Sequence, residues 1–149
     1  SLQETRNLAK KIASKLEGGD IIALSGPLGS GKTTFTQLLA RELGIKSGVK
    51  SPTFVVMHLH RLPKTKNPKL KAESYKPKAM ILCHVDVYRL NDLSELEALG
   101  LHDYLGAPNV ITVIEWAEKI KKVVPPKTRW FELKDGSPVF LFLQRCHIK

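Results

Sequence analysis

The sequence is poor in cysteine and has no long apolar run. Its 149 residues include only two cysteines, Cys83 and Cys146, too few for the disulfide framework of a small secreted domain. Cys83 lies in an apolar run, which is typical of a buried free thiol. No apolar run approaches the roughly 20 residues that a membrane-spanning helix needs. The first residues lack a basic segment followed by an apolar stretch, so we expect no signal peptide. The low cysteine content and the buried free thiol fit a reducing cytoplasm, which is where we expect the protein.

Acidic residues are scarce relative to basic ones, and the imbalance is concentrated in one segment. The net charge is +10, and residues 60–78 carry more than half of it, with one acid, Glu73. The basic residues of this segment are Arg61, Lys64, Lys66, Lys69, Lys71, Lys76 and Lys78. Such a patch attracts nucleic acid or another polyanion. The segment is also rich in proline and poor in large apolar residues, which is equally typical of a solvated loop.

Apolar patterning predicts alternating helices and strands in the first half of the chain. Leu8, Ile12 and Leu16 lie four apart and predict an amphipathic helix over residues 5–17. The apolar run at 20–25 predicts a buried parallel strand, and a second helix is expected over 32–43. Residues 54–59 and 80–87 are further strand candidates. The S-x-x-E spacing from Ser94 to Glu97 predicts a capping box that opens a short helix.

The second half of the chain adds a strand over 110–114 and a terminal hairpin. Residues 130–133 and 139–143 flank the turn sequence DGSP at 135–138. Together these elements predict a three-layer α/β domain with a mostly parallel central sheet and a C-terminal antiparallel hairpin. With no internal repeat and no linker, we expect a single domain over residues 1–149.

Residues 26–33 read GPLGSGKT and match G-x-x-x-x-G-K-[ST] at every fixed position. Glycines let backbone N–H groups turn toward a phosphate, and the helix that follows directs its positive end at the same place. Lys32 can reach the β- and γ-phosphates, and the Thr33 hydroxyl can ligate magnesium. An apolar strand before the motif and an amphipathic helix after it are the context that the motif requires. The sequence therefore predicts a P-loop that binds nucleotide with Mg²⁺.

A P-loop also needs an acidic residue at the end of a neighbouring strand. Glu115 and Asp86 each follow an apolar run, and on these grounds alone they are equal candidates. One can hold the metal while the other acts on water. Trp116 either stacks on the nucleobase or belongs to the core. The N-K-x-D pattern that reads guanine is missing, which favours ATP.

Three further motifs follow the P-loop in order: KSPTF at 50–54, HVDVYRL at 84–90 and IEW at 114–116. The ordered set resembles the TsaE family, also called YjeE, the P-loop ATPases of bacterial tRNA threonylcarbamoyladenosine synthesis. The resemblance runs from Thr5 to about residue 119. It implies that a segment at about 60–79 is an insertion, placed between two central strands, where we would expect a short turn.

The resemblance implies a role for each motif. The phosphates would lie against Gly29, Ser30, Gly31, Lys32, Thr33 and Thr34. Thr33 and Glu115 would hold magnesium, which leaves Asp86 as the acid near the γ-phosphate. Thr53 would sense that phosphate from a switch-like loop, and Trp116 and Thr5 would border the nucleobase. His84 shares a strand face with Asp86 and is either functional or a packing residue.

The resemblance also implies partners. TsaE proteins act with the TsaB–TsaD complex. TsaD carries out the threonylcarbamoyl transfer, and ATP binding and hydrolysis reset the complex between rounds of tRNA modification. No arginine finger is evident, so hydrolysis by the chain alone should be slow. The basic insertion either contacts tRNA or the partner, or is a decoration without a role. Two alternatives stay open: a small-molecule P-loop kinase and an ATP-dependent RNA-binding module.

Overall fold

The computed structural model describes residues 1–46, 48–49, 57–63, 81–134 and 137–142, the last range for its backbone only. Thr53 and most of the basic insertion lie outside these ranges, so the predictions made for them are not tested by the fold. The helices are α1 (Leu2–Ala13), α2 (Lys32–Glu42) and α3 (Ser94–Ala98), with 3-10 helices at Leu101–Asp103 and Ala117–Ile120. The strands are β1 (Ile21–Ser25), β2 (Met57–Arg61), β3 (Ile81–Asp86), β4 (Val110–Glu115), β5 (Arg129–Lys134) and β6 (Ser137–Phe142).

The six strands form one sheet in the order β2-β3-β4-β1-β5-β6. Strands β3, β4, β1 and β5 are parallel, whereas β2 and β6 pair antiparallel to their neighbours. The predicted fold class is therefore confirmed, including the antiparallel pair at the C-terminal end. One expectation was wrong: β2 is an edge strand, so the basic insertion joins an edge strand to β3 and does not lie between two central strands.

Apolar side chains cover both faces of the sheet, which gives the domain its three layers. Helices α1 and α2 pack on one face, where Phe35 and Leu24 are fully buried in the same cluster. Helix α3 and the two 3-10 helices pack on the other face, where Leu101 joins Val85 of β3. Within the described ranges, no helix is long and apolar enough to cross a membrane.

Helix α2 begins at Lys32 as predicted, whereas the starts of α1 and α3 differ from the sequence predictions. Helix α1 begins three residues before the predicted start, because Ser1 and Glu4 form a capping box in which Ser1 Oγ accepts from the Glu4 N–H. The capping box expected at Ser94 was wrong, since α3 has no side-chain cap of this kind. Instead, the Ser94 N–H donates to Asp92 Oδ1, so an aspartate two residues earlier satisfies it.

Candidate active site

The loop after β1 folds as its glycines predict. Gly26 has φ +134°, and a Cβ there would lie 2.2 Å from the carbonyl oxygen of Leu133. Only glycine allows this close approach between the loop and β5. Gly31, with φ +93°, occupies the N-cap of α2 without any side-chain cap. The first N–H groups of α2 are thus left for an incoming acceptor, as a phosphate-binding helix start requires.

The amine of Lys32 is held inside the loop. Its Nζ donates to Gly26 O at 2.6 Å, to Pro27 O at 2.8 Å and to Ser30 Oγ at 3.2 Å. Burial lowers the pKa of Lys32 below its ordinary 10.5, and the carboxylates around it oppose that shift. The ammonium group is bound here by two neutral carbonyls, and a phosphate would bind it more strongly because both groups would then be charged.

A chain of polar side chains connects the loop to the sheet. The Thr33 hydroxyl donates to Glu115 Oε2 at 2.8 Å, and His84 Nε2 lies 2.8 Å from Glu115 Oε1. Glu115 is 1% exposed and His84 is fully buried. Thr33 comes from the first turn of α2, and Glu115 ends the neighbouring strand β4. The P-loop hydroxyl and a strand-end carboxylate thus share one place, which is the arrangement of a P-loop magnesium site.

Asp86 ends β3 directly beside Glu115. The two residues are partners in the parallel register of β3 and β4. Asp86 Oδ1 accepts the N–H of Tyr88 at 2.9 Å, which fixes the carboxylate at the strand end. Both acids predicted from apolar runs therefore lie at the carboxyl edge of the sheet, where open α/β sheets bind their ligands.

The Trp116 ring covers the Lys32 amine and packs against Tyr88. Trp116 has φ +60°, a left-handed conformation that is uncommon for a residue other than glycine. Its ring centroid lies 3.7 Å from Lys32 Nζ and 4.6 Å from the ring centroid of Tyr88. The Lys119 amine donates to the Tyr88 carbonyl and lies 5.0 Å from the centroid of its ring. In this conformation the indole stabilises the ammonium by a cation–π contact.

The remaining predicted residues are less tightly connected. Ser30 joins the site through its bond to Lys32, and Gly29 faces open space, where an added Cβ would meet nothing within 4 Å. Thr34 is exposed in the first turn of α2. Thr5 lies in α1 with its hydroxyl donating to Ser1 O at 3.1 Å. The places of Thr5 and Trp116 beside the nucleobase stay predictions.

Sequence reasoning left two residues of the site without a settled role. His84 was open between function and packing, although its position two residues before Asp86 on one strand face was a usable signal. Tyr88 was part of a recognised motif but had no role. Its contact with Trp116 depends on how the turn after β3 meets the end of β4, and no local pattern predicts that.

Comparison with known proteins gives consistent matches. The family model "Threonylcarbamoyl adenosine biosynthesis protein TsaE" matches residues 1–139. The chain is similar to the tRNA threonylcarbamoyladenosine biosynthesis protein TsaE of Bacillus subtilis, 37% identical over 83% of this chain and 66% of that protein. It is 36% identical to the protein of the same name from Streptomyces coelicolor, over 83% of this chain and 75% of that one.

A solved structure agrees. The crystal structure of Bacillus subtilis YdiB is similar to this chain with a TM-score of 0.62 and 29% identity, over 92% of this chain and 74% of that one. The aligned part spans just under two thirds of the relatives from Bacillus subtilis and Mycobacterium tuberculosis, at 66% and 65% of their lengths.

Proposed function

The chain belongs to the TsaE family of threonylcarbamoyladenosine biosynthesis proteins, and from this premise we propose that it is a magnesium-dependent ATPase that serves tRNA modification. The observation that carries the proposal is the 2.8 Å hydrogen bond from the Thr33 hydroxyl to Glu115. It brings the last residue of the P-loop motif and the acid at the end of β4 to one point. The names of the relatives include tRNA threonylcarbamoyladenosine biosynthesis, and we therefore propose that this is the process in which the ATPase acts.

The residues present fit a nucleotide with magnesium. Backbone N–H groups of residues 29–34 would hold the phosphates, and Lys32 would exchange its bonds to Gly26 and Pro27 for phosphate oxygens. Thr33 and Glu115 offer a hydroxyl and a carboxylate oxygen, the hard ligands that magnesium prefers. The bound metal would supply positive charge against the phosphates.

We assign orientation of the attacking water to Asp86. Its carboxylate ends β3 beside Glu115 and is fixed by the Tyr88 N–H, so it can accept a hydrogen bond from water. Thr53 is proposed as the sensor of the γ-phosphate. Trp116 and Thr5 are proposed to border the adenine, which requires the indole to move from its contact with Lys32.

The proposed partner is the TsaB–TsaD complex, in the cytoplasm. We propose that TsaD performs the threonylcarbamoyl transfer, that this chain is a single ATPase domain, and that the partner completes its active site. Hydrolysis by the chain alone is then slow. The basic residues of the insertion at about 60–79 are proposed to contact tRNA.

The test is the ATP hydrolysis rate of the chain alone and with the TsaB–TsaD complex. We expect strong stimulation by the complex, and its loss in Lys32→Ala. If the protein binds ATP but shows no stimulation, the P-loop assignment stands and the proposed process is wrong. A screen of small-molecule phosphate acceptors would then test the kinase alternative.

A further inference from the structure

We infer that His84 is a positioning residue that fixes the carboxylate of Glu115 in the orientation that receives magnesium, an inference that rests on the proposed function. His84 lies on β3 and touches neither the P-loop motif nor the loop backbone in the contacts described above. It therefore acts through Glu115.

Both oxygens of the Glu115 carboxylate have a hydrogen-bond partner. Oε2 of Glu115 accepts from the Thr33 hydroxyl, and Oε1 lies 2.8 Å from His84 Nε2. The histidine is fully buried and the glutamate is 1% exposed, so water does not hold this carboxylate. A buried carboxylate without partners is unfavourable, and with one donor on each oxygen its rotation is blocked. His84 is the partner that the P-loop itself does not provide.

The contact with Glu115 determines which ring nitrogen of His84 donates a hydrogen. A carboxylate oxygen only accepts hydrogen bonds, so Nε2 must carry the hydrogen. Among the described residues, His84 Nδ1 is one of the buried polar atoms that lack a partner. Within the described part of the chain, His84 is therefore held through its Nε2–H donor, and no hydrogen bond at Nδ1 competes for the orientation of the ring.

The register of the sheet places His84 close to Glu115. In the parallel register of β3 and β4, His84 is opposite Val113 and Asp86 is opposite Glu115. Side chains two residues apart point to the same face of a strand, so on this face Asp86 lies directly beside Glu115 and His84 lies diagonally before it, beside Val113. This spacing allows β3 to supply the donor that orients the metal residue and the acid that acts on water. Partners behind a metal ligand commonly change metal affinity when they are removed.

The experiment compares four variants by their magnesium requirement for nucleotide binding. His84→Ala removes the donor. His84→Gln keeps an amide N–H near the Nε2 position, and His84→Asn places its amide near Nδ1, too short to reach Glu115. Cys83→Ala is the matched control, a fully buried neighbour on β3 whose side chain points to the opposite face.

Binding of ATP is measured by calorimetry across a magnesium titration and in excess chelator. We expect His84→Ala and His84→Asn to need about 10- to 100-fold more magnesium, with unchanged affinity in chelator. His84→Gln should recover most of the wild-type requirement, and Cys83→Ala should lower only the melting temperature. Equal magnesium midpoints for all variants would overturn the inference, as would equal loss of affinity with and without the metal.

A second readout uses the protein without nucleotide. A ¹⁵N spectrum of histidine should show a hydrogen on Nε2 of His84, and a bare Nε2 would overturn the inference even if the alanine variant fails to fold. Failure of the proposed function looks different: wild-type protein would then bind ATP without any response to magnesium, or would not bind it.

Discussion

Replacing Glu115 separates the stability of the buried network from its proposed use. In Glu115→Ala, the Thr33 hydroxyl and His84 Nε2 both lose their acceptor, and a side chain that is 1% exposed leaves a cavity. A buried polar group left without a partner costs about 1–3 kcal/mol, so the two groups together cost about 2–6 kcal/mol. We therefore expect the free energy of unfolding to fall by about that amount.

Glu115→Gln should cost less. Its amide oxygen can still accept from Thr33, and its NH₂ can donate to His84 once the ring moves its hydrogen to Nδ1. The remaining cost is that of the hydrogen on Nδ1, a buried donor without a partner among the described residues, at about 1–3 kcal/mol. The proposed metal ligand is lost in both variants, so we expect neither to show a magnesium response in ATP binding.

Urea unfolding followed by circular dichroism gives the two free energies, and calorimetry gives the magnesium response. A glutamine variant as unstable as the alanine variant would refute the tautomer exchange. A glutamine variant that keeps the wild-type magnesium response would refute the assignment of Glu115 as the metal residue.

Three further predictions follow from single residues. Gly26→Ala should lower the free energy of unfolding by about 3 kcal/mol or more, because the new Cβ would lie 2.2 Å from Leu133 O and residue 26 has φ +134°. Gly29→Ala, where the added Cβ meets open space, should lower it by only about 1–2 kcal/mol. Urea unfolding measures both costs, and equal costs would contradict this prediction. Burial lowers the pKa of Lys32 below 10.5 and phosphate would raise it again, so ATP binding at alkaline pH should take up a proton. Calorimetry in two buffers of different ionisation heat checks this, and identical heats would argue against it. Burial raises the pKa of Cys83 to about 12. A variant in which Cys83 is the only cysteine should therefore resist iodoacetamide at pH 8 until it is unfolded. Rapid labelling of the native protein would contradict this, because it would show that the thiol is accessible.

The sequence predicted the site best where local chemistry decides the structure. The glycines of the P-loop motif determine the conformation of the loop. Asp86 and Glu115 each follow an apolar run in the sequence, and they are the last residues of β3 and β4. Two parallel strands then bring those ends together. The residues alone did not show which of the two acids would hold the metal and which would act on water.

Prediction was poorer where distant elements meet. The pairing of His84 with Glu115 depends on the register of β3 and β4, and the edge position of β2 depends on strand order, which local patterns do not contain. Capping boxes show a related ambiguity, because S-x-x-E occurs at both Ser1 and Ser94 but only the first forms the cap. At Ser94, the side chain of Asp92 accepts the Ser94 N–H, which the Glu97 side chain would accept in a capping box.

Formation of threonylcarbamoyladenosine on tRNA over many rounds tests the central claim most directly. The TsaB–TsaD complex is supplied with its substrates and ATP, and modified tRNA is counted per complex with this chain, without it, and with Lys32→Ala. The account predicts repeated rounds only with the wild-type chain and about one round in the other two reactions. Repeated rounds with Lys32→Ala, or with no chain added, would contradict it.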